Sequence, residues 1–197
     1  MSIRIIFATN NAHKLEEIQA VIGQTLHVIT LREAGIDIDI PEPHDTLEAN
    51  ATEKSSTIHR LTGENCFSED TGLEVPALNG EPGVKSARYA GDQRSDKKNI
   101  ERLLHRLNDS GDSGDRRARF RTVISLIWEG KEHLFEGICE GHILLSPAGE
   151  NGFGYDPVFV PQGDSRSFAQ LSMEEKNHYS HRRKAADQLV AFLRKTK

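Results

Sequence analysis

FATNNAHKLEEI, residues 7–18, changes its periodicity halfway along. The apolar run of residues 3–8 stops at Thr9-Asn10-Asn11, and beyond Lys14 apolar side chains return at Leu15, Ile18 and Ile22 with Val21 beside them. That spacing marks one face of a helix, and Gly23 supplies its stop. A strand that feeds a helix through three small polar residues is the opening unit of an α/β protein. The junction also carries chemistry. N–H groups at a helix start point outward and the dipole favours negative charge there, which makes phosphate a natural guest. Lys14 adds a point charge, while Thr9 and Asn11 offer side-chain hydrogen bonds and tolerate a tight backbone. A plainer reading stands beside this one, with Asn11 capping the helix and Lys14 solvated.

Outward from this unit, residues 26–30 form a second short strand, and residues 46–61 place Leu47, Ile58 and Leu61 on a helical period. Asp45 with Glu48 three residues later gives that helix a capping pair, and Gly63 ends it. Ser95 opens another helix, with Ile100, Leu103, Leu104 and Leu107 at i, i+3, i+4 and i+7. Residues 108–115 read as a surface loop by composition. Residues 120–128 alternate, with Phe120, Ile124, Leu126 and Trp128 on one side, and after Glu129-Gly130-Lys131 residues 133–140 alternate again, which predicts a hairpin. Residues 180–195 set Ala185, Leu189, Phe192 and Leu193 on one face of a helix that closes the core. The order of elements predicts an α/β fold with a mixed sheet.

The 197 residues suffice to bury a core without staples, and a single domain over 1–197 is expected. No apolar stretch approaches the ~18 residues that cross a membrane, and the N-terminal apolar run is too short for a secretory leader, so a cytoplasmic protein is expected. Cys66 and Cys139 stand far apart among apolar neighbours, which fits reduced core thiols. A net charge of −5 argues against a general nucleic-acid partner and leaves room for a local basic pocket that grips a small anion.

Further clusters carry chemistry. In FSEDTGLEV, residues 67–75, Glu69 and Asp70 point to opposite faces of a strand, so they share a site only if the strand bends, and Thr71-Gly72 suggests a bend. An acid at a strand end beside a phosphate-ready loop is what Mg²⁺ needs, since that ion takes one or two carboxylates and fills its shell with water and phosphate oxygens. Asp70 is the first candidate; Glu42, ahead of the helix bearing Asn50 and Lys54, is either its partner or a solvated loop acid. NGFGYDP, residues 151–157, lets backbone approach a ligand and presents an aromatic that can stack on a purine, although turn chemistry alone also explains it. In EEKNHYSHRR, residues 174–183, Lys176, His181 and Arg182 crowd a helix start that the dipole disfavours for cations, which calls for a compensating anion or ligand. GEPGVKS has the wrong glycine spacing for a phosphate-binding Walker loop, Pro157 displaces the third glycine of a dinucleotide fingerprint, and the pair His178 and His181 lacks further zinc ligands.

ATNNAHKLEEI, DTLEANATEK, SEDTGLEV, GEPGVKSARYAG, NGFGYDPVF and EEKNHYSHRRKA, in this order over residues 3–193, resemble the inosine triphosphate pyrophosphatase family. The resemblance implies an elongated α/β fold with a central mixed β-sheet, two lobes flanking a deep nucleotide-binding cleft, and a homodimer. It implies hydrolysis of ITP, dITP and XTP to the nucleoside monophosphate and pyrophosphate with Mg²⁺. By the same resemblance the phosphate loop falls on Thr9, Asn10, Asn11 and Lys14 with Glu17 in its helix, a second lysine on Lys54, the catalytic and metal-binding carboxylate on Asp70, and Thr71 after it. The base-binding loop falls on Phe153, Gly154, Tyr155 and Asp156, the final basic set on Lys176, His181 and Arg182, with Lys176 and Arg182 facing the 6-oxygen; Ser86 and Arg88 lie in the S-x-R-Y segment. Departures are Glu69 for an aspartate, Thr71 for a serine, Asn10 for a glycine, and Ala49 where an acid is usual, which leaves Glu42 as partner of Asp70 at the metal. Two rivals are a related pyrophosphatase for other modified nucleotides, whose Ser-Pro-Arg-Arg-like loop is absent after the first strand, and a non-catalytic nucleotide-binding regulator, which would lack Asp70.

Overall fold

The computed structural model of the chain describes residues 3–22, 26–109 and 114–196. Gly23, expected to stop the first helix, and positions 110–113 of the expected polar loop lie outside them. The strands are β1 (Ile3–Phe7), β2 (Leu26–Thr30), β3 (Cys66–Glu74), β4 (Pro82–Gly83), β5 (Arg117–Trp128), β6 (Lys131–Ile143) and β7 (Phe159–Pro161). The helices are α1 (Ala12–Ile22), α2 (Leu47–Thr62), α3 (Asp96–Asp109), α4 (Met173–Tyr179) and α5 (His181–Lys195). The sheet runs β2-β1-β3-β5-β6-β7, with β4 added to β3. β1 is parallel to both β2 and β3, whereas β4 is antiparallel to β3 and β7 to β6. The mixed sheet expected from the element order is thus present. None of the helices is long and apolar enough to cross a membrane among the described residues.

The chain forms two compact units. Met1–Asp70, Thr122–Gly137 and His181–Lys197 make the first, and Thr71–Arg121 with Ile138–Ser180 the second. In the first unit Ile5, Phe7, Ile18, Phe67, Ile124 and Leu189 share one core, and Ile6, Ile58, Cys66 and Ile127 share another. Phe7 and Phe67 stack with ring centroids 4.4 Å apart, which pins the β1–β3 register at Phe7↔Phe67. In the second unit Leu73, Leu103, Phe120, Val158, Phe159 and Phe168 form the core, with α3 contributing Ile100, Leu103 and Leu107 as its spacing predicts.

Several expectations change in detail. The N-cap of α2 is Thr46, whose hydroxyl accepts from the Ala49 N–H, and Asp45 is not the cap; Gly63 ends the helix in the left-handed region at φ 68°. Leu61 is 61% exposed, off the buried face that Leu47 and Ile58 define. β5 is buried on both faces from Thr122 to Ile127, because Ile124 and Leu126 pack in the core shared with α5 while Ser125 and Ile127 meet Ser55 and Ile58 of α2, so the alternation holds only over its first half. The hairpin turn is Glu129-Gly130, both at positive φ as a two-residue turn requires, and Lys131 already belongs to β6. The C-terminal basic segment divides into α4 and α5 at Ser180. Finally, β3 runs through Thr71-Gly72 without interruption: a Cβ on Gly72 would lie 2.7 Å from the Gly83 carbonyl oxygen, so that glycine admits β4 against β3 and makes no break. Cys66 and Cys139 are both buried and unbridged, and burial pushes the Cys66 thiol up to about 12.

Candidate active site

Alternation along β3 sorts the chemistry of the first unit. Even-numbered residues face α2: the Cys66 thiol donates to the Ser55 carbonyl, the Ser68 hydroxyl to the Ala51 carbonyl, and Asp70 accepts from Lys54. Odd-numbered residues face the other way: Phe67 meets Phe7, and Glu69 meets Lys14 and Arg182. Glu69 and Asp70 therefore serve two different groups of cations, and no bend is needed for both to act.

On the α2 side, Lys54 lies at the buried face with Asn50, Ala51 and Ser55. Its ammonium donates to Glu42 Oε1 at 2.6 Å and to Asp70 Oδ1 at 2.9 Å. The loop that brings Glu42 there is fixed by Asn50, whose carboxamide accepts from the His44 N–H and donates to the His44 carbonyl. Glu42 is thus held at the site by Lys54 and is not a solvated loop acid. Burial works against the Glu42 charge, but the Lys54 ammonium outweighs it and brings the pKa down to about 2. Asp70 moves the other way: burial, joined by repulsion from Glu42, raises it above the ordinary aspartate range despite Lys54 and Lys14.

On the opposite side, the start of α1 is built by its own asparagines. Asn11 Oδ1 accepts from the His13 and Lys14 N–H groups at 3.0 and 3.2 Å, the Thr9 hydroxyl accepts from the Asn11 N–H, and Asn10 donates to the Ile38 carbonyl. The capping reading of Asn11 is correct, and Asn10 holds the 38 loop. Lys14 is not simply solvated, for its ammonium stands 3.2 Å from Glu69 Oε1. Arg182, in the first turn of α5, donates from Nε to Glu69 Oε2 at 2.7 Å and from Nη1 to Glu17. The compensating anions for this basic helix start are therefore two carboxylates of the chain itself. Burial opposes the Glu69 charge as well, and Arg182 and Lys14 overcome it, holding the carboxyl down to about 2.

The second unit holds the glycine-rich loop. Asp156 Oδ2 accepts from the Phe153 N–H at 3.0 Å and from the Lys176 ammonium at 2.6 Å, and the ammonium lies 5.4 Å above the Phe153 ring. Gly152 has φ 77°, a backbone conformation that favours glycine, and a Cβ there would run into the Asp156 carboxylate. The Gly154 N–H donates to Asp96 at 2.7 Å. Tyr155 is buried and donates to the Ser86 carbonyl, which makes it a support of the loop. Ser86 itself donates to the Gly83 carbonyl and accepts from the Leu73 N–H. Lys176 and Arg182, six residues apart in one sequence motif, thus have different partners: Lys176 in α4 belongs to the second unit, while Arg182 and the buried His181 in α5 belong to the first.

The residues present fit a magnesium ion: two carboxylates, Glu42 and Asp70, already meet on one cation, which is the donor set that ion takes from protein. No cluster of three or more His, Cys, Asp or Glu residues able to hold a metal occurs among the described residues, as a full protein cage for zinc would require. Sequence reasoning missed Asp96, whose carboxylate accepts from the Gly154 N–H of the loop, and it named Glu17 only by resemblance.

Such a chain, a mixed α/β protein whose carboxylate-bearing strand lies between a lysine-headed α1 and the lysine of α2, has a recognised set of kin. It belongs to the Ham1 family, whose model matches residues 5–192. It is 45% identical over 192 residues to the dITP/XTP pyrophosphatase of Flavobacterium psychrophilum, covering 98% of this chain and all of that one. With the dITP/XTP pyrophosphatase of Porphyromonas gingivalis it shares 48% over 190 residues, 96% of this chain and 97% of that one. The solved Ham1 protein of Staphylococcus aureus superposes with a TM-score of 0.88 at 43% identity, covering 98% of this chain and all of the other; that of Coxiella burnetii gives 0.89 at 36%, covering 98% and 99%.

Proposed function

We propose that this protein hydrolyses the non-canonical purine nucleoside triphosphates ITP, dITP and XTP to the nucleoside monophosphate and pyrophosphate, as a cytoplasmic, magnesium-dependent homodimer. The observation that carries this is the convergence of Glu42 and Asp70 on Lys54, with Lys14 on the other side of the same strand, in a chain whose relatives bear the name dITP/XTP pyrophosphatase. Glu17, Glu42, Glu69 and Asp70 set four carboxylates against Lys14, Lys54 and Arg182. With all ionised, the group has one negative charge in excess, which favours a triphosphate that arrives with a divalent cation over a bare one.

Asp70 and Glu42 would hold the magnesium ion, which when bound neutralises charge on the phosphate oxygens. Lys14 and Lys54 bind the phosphate tail, with Thr9, Asn10, Asn11 and Thr71 around it. Asp70, made a better proton acceptor by burial, orients a water toward the α-phosphorus. The water oxygen bonds to that phosphorus, the bond to the bridging oxygen breaks, and pyrophosphate leaves with the electron pair while the water's proton passes to Asp70. In the second unit Phe153 stacks on the base and Gly154 gives it close approach. Lys176 donates to a 6-oxygen and Asp156 accepts from N1–H. Adenine presents the reverse pattern, with an acceptor at N1 and hydrogens at position 6, and is rejected by groups left unpaired, at about 1–3 kcal/mol each. His181 stands at the head of α5 as a further binding residue. The resemblance also gives Arg182 to the base as a donor to the 6-oxygen, its guanidinium held by Glu17 and Glu69.

Incubation of the purified protein with ITP and Mg²⁺ is expected to yield IMP and pyrophosphate, with ATP largely untouched. Release of IDP and orthophosphate would overturn the point of attack, and equal turnover of ATP would overturn the base selection.

A further inference from the structure

Phe153 lies between two glycines in the left-handed region, Gly152 at φ 77° and Gly154 at φ 61°, so its backbone has freedom on both sides that something else must remove. Two carboxylates remove it. The peptide plane ahead of the Phe153 Cα is held where Asp156 Oδ2 accepts from the Phe153 N–H at 3.0 Å, and the plane after it where Asp96 Oδ2 accepts from the Gly154 N–H at 2.7 Å. The two soft dihedrals of Phe153 turn these planes against each other, so a hold on both fixes the direction in which its ring leaves the chain. Asp156 is a member of the loop, whereas Asp96 stands 58 residues from Gly154, in the first turn of α3. That turn is itself fixed: the buried Asn99 accepts from the Ala90 N–H at 2.7 Å and donates to the Ala87 carbonyl at 3.1 Å. The neighbouring Ser86 carbonyl accepts from the Tyr155 hydroxyl at 2.9 Å. Gly154 and Tyr155, successive residues, are thus bound by one framework made of the head of α3 and residues 86–90, all within the second unit.

Resting on the proposed function, we propose that Asp96 is a positioning residue for the base end of the substrate, holding the Phe153–Gly154 peptide so that the Phe153 ring is set for stacking before the purine arrives. A ring that must find its place on binding loses conformational freedom at that moment, and a ring already placed does not. The same hold keeps the ring in register with the Lys176 ammonium, which is itself fixed on Asp156 at 2.6 Å and lies 5.4 Å from the ring centroid. A plainer role for Asp96 is that of an acid in the first turn of a helix, where the dipole favours negative charge. The two roles differ in what they require: the helix start needs the charge, whereas the Gly154 N–H needs an acceptor oxygen, which asparagine keeps. Asp96 is exposed, so neither alanine nor asparagine there disturbs the core.

The test reads the two ends of the substrate with separate calorimetric probes: IMP, which carries the base, and inorganic triphosphate with Mg²⁺, which carries none. Wild type, Asp96→Ala, Asp96→Asn, Phe153→Ala and the double variant of Asp96→Ala with Phe153→Ala are compared, with circular dichroism confirming the fold of each. Asp96→Ala is expected to weaken IMP binding roughly tenfold and Asp96→Asn by less than about threefold, with triphosphate binding by both within about twofold of wild type. In the Phe153→Ala background Asp96→Ala is expected to have no further effect, since one acts through the other. Unchanged IMP binding in Asp96→Ala would overturn the proposal. So would equal losses from alanine and asparagine, which would assign Asp96 to the helix start, and additive losses in the cycle, which would remove the link to Phe153. A matching loss of triphosphate binding, or absence of IMP binding by wild type, would overturn it as well. If Asp96→Ala does not fold, Asp96→Ser takes its place: serine suits a helix start but is too short to keep the bond to Gly154, so the same selective loss of IMP binding is expected and unchanged binding overturns the proposal. Failure of the hydrolysis reading would appear separately, as lack of IMP from ITP, and the calorimetric cycle, which involves no turnover, would still read the coupling between Asp96 and Phe153.

Discussion

Adjacent acids of one strand experience opposite fields. Glu69, facing Arg182 and Lys14, is held down to about 2, while Asp70, buried beside Glu42, rises above its ordinary value. A metal ligand that also handles a water's proton needs the second condition and a structural counterion needs the first. Asp70→Asn, which keeps the shape and removes the charge, is expected to lower kcat by at least about a hundredfold with an unchanged far-ultraviolet spectrum; near-normal turnover would remove Asp70 from the mechanism. Glu42→Gln should cost less, because Asp70 remains, and equal losses from both would make Glu42 an obligate ligand. For Glu69 the sign is that of a carboxyl with a lowered folded pKa. It contributes stability that is complete above about 4.5, the unfolded value, and is lost as pH falls from there toward about 2. Urea midpoints between pH 5 and 3.5 should therefore fall more steeply in the wild type than in Glu69→Gln, and parallel slopes would show that Glu69 is not the group that titrates. Lys14 was legible in the sequence because it sits at a helix start with local signs, whereas Lys54, in the middle of α2, was reached by resemblance and Asp70 was read at a strand end that β3 in fact runs through. The bond from Arg182 to Glu69 spans 113 residues and leaves no local sign at all, so its basic neighbourhood suggested a ligand where the fold supplies carboxylates.

At the level of elements, a period of two does most of the sorting. β3 sends Cys66, Ser68 and Asp70 to α2 and Phe67 and Glu69 toward α1 and α5, so a shift of one residue in the Phe7↔Phe67 register would exchange Asp70, the proposed catalytic acid, for Glu69. The hydrophobic spacing of α3 and the Glu129-Gly130 turn are local properties, and both are found where the sequence puts them. Less was legible where tertiary packing decides. The double burial of β5 depends on α2 and α5 packed on its two faces, and Ser180 breaks a run of helix formers for reasons that no periodicity carries. The start of α2 lay within one residue of its expected place, and the difference is measurable. Thr46→Ala should destabilise the protein by about 1 kcal/mol and lower its melting temperature, whereas Asp45→Ala should change stability by less than about 0.5 kcal/mol. The reverse ranking would restore Asp45 as the cap.

For the molecule as a whole, the proposed homodimer is expected to give a mass of twice 22.0 kDa by sedimentation equilibrium, and a single-chain mass at working concentration would dismiss it. Neither compact unit is a contiguous piece of chain: the first is assembled from three segments and the second from two, with β3, β5 and β6 each passing from one into the other. A cut anywhere in the middle therefore deprives both units of strands, and neither can be prepared by simple truncation. The same division has separated the chromophores. Trp128, the one tryptophan, lies in the first unit, while Tyr89, Tyr155 and Tyr179, which are all the tyrosines, lie in the second. Selective excitation of tryptophan thus reports on the half that carries Lys14, Lys54 and Asp70, and tyrosine absorption on the half that carries Phe153 and Lys176. The unmodified protein comes with an optical label on each half, so the proposed phosphate-end and base-end binding can be tested in one sample without a probe attached.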